Sequence, residues 1–92
     1  MALTYVGGTS GGGTGASYSV SLTGLTGGIA SAPAAGDLVL VVSGFTQIVD
    51  GNPGVTTPTG YTELADLYGN DSADANLSVS WKIMGSTPDT SV

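Results

Sequence analysis

The chain has 92 residues, of which 16 are Gly, seven are Asp or Glu, one is Lys and none is Arg, His or Cys. A net charge of −6 with Lys82 as the sole cation leaves no basic cluster to neutralise phosphates, which excludes nucleic acid and anionic membranes as direct partners. Without Cys or His there are no disulfides, no thiolate or imidazole metal sites and none of the commoner activated nucleophiles.

Forty per cent of the residues are apolar, which sets the chain apart from charged disordered sequences. Its length allows one domain, and a domain this small has a thin stability margin that abundant Gly thins further. Further strands or partner subunits are therefore expected to complete its core. The N-terminal Met1-Ala2-Leu3-Thr4-Tyr5 has no cationic stretch before an apolar one, so no secretory signal is read there. The longest strongly apolar run, Leu38–Val42, falls far short of the ~20 residues that span a bilayer. These features predict a soluble product made in the cytoplasm, with no membrane insertion.

In chain order, residues 3–6 (LTYV) suggest a short strand and residues 7–15 (GGTSGGGTG) a Gly-rich linker. Residues 1–16 thus form an N-terminal strand plus linker or anchor, and 17–92 the domain. Residues 17–23 alternate, with Tyr18, Val20 and Leu22 on one side and Ser17, Ser19, Ser21 and Thr23 on the other, predicting a half-wet strand. Gly24, Gly27, Gly28 and Pro33 then mark a loop.

Asp37–Gly44 (DLVLVVSG) carries five consecutive apolar residues, three of them β-branched, and reads as a strand covered on both faces, prolonged through Phe45–Ile48. Asp50–Gly54 and Pro58–Gly60 are turn chemistry. Tyr61–Tyr68 (YTELADLY) is favoured as strand over helix, since eight residues make a marginal helix. Gly69–Ala75 has hairpin-loop composition. Asn76–Met84 alternates again, with Leu77, Val79, Trp81 and Ile83 assigned inward and Ser78, Ser80 and Lys82 outward. Gly85–Asp89 is a turn, and Thr90–Val92 begins another strand. Short strands between Gly, Pro and Asp loops predict an all-β fold, an antiparallel sandwich of jelly-roll type that is incomplete at its C-terminus. The native chain is expected to continue past Val92, or else Thr90–Val92 should pair with another subunit.

Candidate chemistry is sparse. Gly11, Gly13 and Ala16 fit a loose dinucleotide-loop spacing, but a strand rather than a helix follows, so no cofactor is assigned. Asp71, Asp74 and Asn76, beside Asn70, gather oxygens that suit Ca²⁺, though without the EF-hand spacing, and turn-forming residues account for them better. Glu63 and Asp66 are the close carboxylates considered as an acid/base pair, but an offset of three in a regular strand puts them on opposite faces. Ser78, Ser80 and Lys82 share a face that is expected to be wet, where a Ser–Lys dyad would lack a shifted base. No catalytic group is assigned and no enzyme is expected. Trp81 is in phase with the core. Tyr61 and Tyr68 flank polar loops and are the candidates for stacking on a sugar.

Three stretches carry a resemblance: SAPAAGDLVLVVSG (31–44), TPTGYTELADLY (57–68) and NLSVSWKIMGSTPDTSV (76–92). A Gly-Asp-Leu-Val entry to an apolar strand is followed by Pro-x-Gly-aromatic-Thr-Glu. An alternating strand ending in aromatic-Lys then leads to a Gly-Ser-x-Pro turn. The pattern resembles a β-sandwich module of structural proteins in tailed bacteriophages and gene-transfer particles, found in spikes, fibres and other appendages. The resemblance spans residues 31–92 and brings no shared active-site residues. It implies a structural component of a virion-like particle, assembled in the bacterial cytoplasm, attached to other particle proteins and contributing to host-surface contact. It also implies a homo-oligomer, with a trimer favoured, and host polysaccharide as a ligand. The alternative is a carbohydrate-binding β-sandwich module without catalysis.

Overall fold

In the computed structural model, which describes residues 2–15, 17–47, 56–68 and 74–92, the regular elements are all strands: β1 (Leu38–Gln47), β2 (Thr62–Tyr68) and β3 (Asp74–Ile83). They form one antiparallel sheet in the order β1-β3-β2. This is the all-β class expected from the alternation, with strand rather than helix at Tyr61–Tyr68. The chain divides into two compact units, residues 38–83 and residues 1–37 with 84–92.

Within the first unit, β1 pairs with β3 without interruption from Leu38 opposite Ile83 to Gln47 opposite Asp74. The predicted extension of β1 through Phe45–Gln47 is present. β2 pairs with the other edge of β3, from Thr62 opposite Trp81 to Tyr68 opposite Asn76, with a bulge between Glu63 and Ala65. The turn into β2 explains the Pro-x-Gly-aromatic signature. The Tyr61 N–H donates to the Pro58 carbonyl at 3.0 Å. Gly60 sits at φ +84°, the left-handed third position of a type II turn.

The second unit repeats this device. The Asp37 N–H donates to the Ala34 carbonyl at 3.1 Å, with Gly36 at φ +88°. The Asp37 carboxylate in turn accepts the Ala34 N–H at 2.7 Å, so each end of the turn satisfies the other. Gly36 and Met84 then bond through Gly36 N–H to Met84 carbonyl at 2.8 Å, and Met84 N–H donates to Asp37 at 2.8 Å.

Residues 3–6, expected as a strand, belong to none. Their backbone instead accepts isolated bonds, from Ile29 N–H to Tyr5 and from Ala30 N–H to Val6. Residues 17–23 likewise form no named strand. Only Val20–Leu22 pairs, with Thr90–Val92 of the same chain, through Val20 N–H to Val92 at 2.7 Å and Leu22 N–H to Thr90 at 2.8 Å. Leu22 and Met84 are the buried apolar side chains of this unit, at 6% and 2% exposure. The predicted turns at Asp50–Gly54 and most of Gly69–Ala75 lie outside the described residues.

Two glycines make testable demands on the backbone. Gly60→Ala is expected to cost about 1 kcal/mol, because only glycine holds its left-handed φ without strain. In a thermal melt that lowers Tm by roughly 4–8 °C. Gly28→Ala should cost more, since a Cβ at Gly28 would overlap the Val6 backbone carbonyl, which cannot rotate away.

Candidate assembly surface

The ladder registers define two faces of the 38–83 sheet. One carries Leu38, Leu40 and Val42 of β1 opposite Ile83, Trp81 and Val79 of β3, with Leu77 opposite Gly44. The other carries Val39, Val41 and Ser43 opposite Lys82, Ser80 and Ser78, with Asn76 opposite Phe45. The alternation predicted from the sequence is present in β3, but the burial is reversed.

Ser80, Ser78 and Asn76, of which the serines were expected to be solvated, are 2%, 3% and 4% exposed. Leu77 and Ile83, expected to point into a core, are 42% and 51% exposed, and Trp81 is half-buried. Leu38, Leu40 and Val42, expected to be covered on both faces, are 56%, 59% and 66% exposed. A period of two fixes which residues share a face and leaves open which face is covered; on the polar face Ser80 lies between Val41 and Glu63, and Ser78 between Ser43 and Asp66. On the apolar side Leu38, Leu40, Val42, Leu77 and Ile83 stay exposed. A contiguous sheet face of Leu, Val, Ile and Trp is the kind of patch that marks an interaction surface, whereas scattered surface leucines are ordinary.

The charged groups lie elsewhere. Lys82 belongs to the polar face, and its Nζ stands 5.5 Å from the Tyr61 ring centroid, a cation–π distance. Glu63 is opposite Ser80 and accepts a hydrogen bond from the Thr57 hydroxyl at 2.8 Å. The bulge between Glu63 and Ala65 restores phase, so Asp66 falls opposite Ser78. Glu63 and Asp66 therefore occupy register positions of the same face, correcting the opposite-face assignment that a regular strand dictates.

Among the residues proposed for ligand contact, Tyr61 is half-buried, its hydroxyl is shielded from solvent and Lys82 stands over its ring. The Tyr68 side chain lies outside the described residues, as do Asp71 and the Asp74 side chain. Asn76 is enclosed within the sheet, with neither amide atom hydrogen-bonded among the described residues. Among those residues no three His, Cys, Asp or Glu side chains gather as a metal-binding group. Among the described residues there is no helix long and apolar enough to cross a membrane. A shallow depression lined by Tyr5, Gly8, Thr9, Ser10, Gly24, Thr26 and Gly27 lies in the other unit, open to solvent and without a titratable cluster.

The apolar face was legible as an in-phase set of residues. Its exposure was not, because period reveals which residues share a side and not what lies over them. Comparison of the chain with protein-family models, curated proteins and solved structures found no match.

The reversal of the two faces has a direct test in urea unfolding. Ser80→Leu should cost about 1–3 kcal/mol by overpacking an enclosed position. Leu77→Lys, three residues away on the open face, should cost less than about 1 kcal/mol. The opposite ranking would restore the orientation read from the sequence.

Proposed function

We propose that the chain is a structural β-module of a phage-like particle, a spike, fibre or head component that packs onto another particle protein and contributes to host attachment. One observation carries this reading: an ordered sheet presents an uncovered face of Leu38, Leu40, Val42, Leu77 and Ile83. Each such side chain leaves roughly half of its ~1.5–3 kcal/mol of burial free energy unrealised. A second sheet about 10 Å above this face, supplied in the assembled particle, would collect that energy and complete a β-sandwich. The absence of acidic side chains from the described part of the face suits this, because a chain of net charge −6 must dock through surface that brings no unpaired carboxylate with it.

The signatures shared with phage appendage modules support the same reading, and the structure gives two of them a mechanical purpose. Ala-Ala-Gly-Asp and Pro-Thr-Gly-Tyr are the turns that launch β1 and β2. Both belong to the scaffold, which suits a building block.

Particles released by lysis of the source cells and banded on a density gradient should carry the chain, detected by an antibody raised against it. Recovery of the chain only from the soluble fraction, with none in the particle band, would overturn the proposal.

A further inference from the structure

The sheet has two edges with opposite characters. β2 is seven residues long, contains Glu63 and Asp66, and is interrupted by a bulge. Those are the devices that keep an edge from pairing with another chain. β1 (LVLVVSGFTQ) is ten residues long and has no charge, no Pro and no register break against β3. The ladder phase identifies which of its backbone groups face away from the sheet. Met84 N–H bonds to the Asp37 carbonyl at 2.8 Å, and the register continues that pair as 39 with 82, 41 with 80 and 43 with 78. In an antiparallel ladder the intervening residues turn both backbone groups outward. The N–H and C=O of Leu38, Leu40, Val42, Gly44 and Thr46 therefore form the outer edge.

From this we propose that β1 pairs antiparallel with β1 of a second copy, about a two-fold axis through Val42, to form a six-stranded sheet. Symmetry selects the register. A two-fold axis normal to the sheet keeps the apolar faces of both copies on one side, so outward residues must meet outward residues. Centring the axis on Val42 places Leu38 opposite Thr46, Leu40 opposite Gly44 and Val42 opposite its own mate. Every outward residue of β1 then exchanges two backbone hydrogen bonds.

Charge selects the edge at which a second copy can approach. Two copies of net charge −6 repel wherever acids meet, and within the sheet β1 is the edge without an acid while β2 has two. The result is a closed pair, in place of the trimer implied by the resemblance, with a doubled apolar face. This inference stands independently of the particle reading, since edge pairing requires only the chain itself.

The full 92-residue chain should sediment as a dimer that dissociates on dilution. Val42→Pro removes an outward N–H without touching the bonds to β3, so far-UV circular dichroism should be retained while the dimer Kd rises roughly tenfold or more. A second variant keeps the test decisive if the proline disturbs the fold. Facing residues of a hydrogen-bonded pair have Cα atoms ~5.5 Å apart, within disulfide range. Val42→Cys should therefore cross-link to itself on mild oxidation, whereas Val39→Cys should not. A monomer at all concentrations, a trimer, open-ended growth, or cross-linking at position 39 in preference to 42 would each overturn the two-fold pairing.

Discussion

The 38–83 unit is held together by β3. Neither β1 nor β2 pairs with the other, and both hydrogen-bond to the two sides of this one strand. The sequence of β3 must therefore serve two ladders at once while presenting two different faces. Its small polar residues, Asn76, Ser78 and Ser80, are buried, while Leu77 and Ile83 on the other face stay exposed. A central strand of this kind can pair on both sides and still leave Leu77 and Ile83 in contact with water.

That combination defines the protein's physical character. Backbone pairing is well developed, with a ten-residue register between β1 and β3, while among the described residues the buried apolar side chains are Leu22 and Met84. Hydrogen bonds contribute only modest net stability in water, so a sheet that has not buried its apolar face lacks the main favourable term. The charge distribution is consistent with that face meeting another protein surface. Lys82 and Glu63 sit on the polar side, where Thr57 and Tyr61 engage them, and leave the apolar side clear.

Much of the fold was legible because strands and turns leave short-range marks. The Val-rich run at 38–42, the alternation at 76–83 and the Gly at the third position of two turns all follow from local backbone preference. Where the reading failed, a partner elsewhere in the chain was responsible. Residues 17–23 alternate as cleanly as β3, yet only Val20–Leu22 pairs, since alternation does not say which distant segment will supply a ladder. Glu63 and Asp66 seemed fated to opposite faces until the bulge added a residue between them, and bulges leave no dependable mark in composition. The candidate surface was half legible: its members could be grouped by phase, but Ser80 and Leu77 could not be assigned to inside and outside.

The sequence by itself determined the all-β class, the position of the three strands, the turns at Gly36 and Gly60, and the exclusion of a basic or thiolate site. These depend on each residue's own conformational preferences and charge, which travel with the residue. Only the tertiary structure decided that β3 lies between β1 and β2, that its serines are enclosed, and that its leucine and isoleucine stay exposed. Strand order is a choice among long-range pairings, and burial is a property of whatever the rest of the chain places alongside. A period of two is the same whichever side is covered.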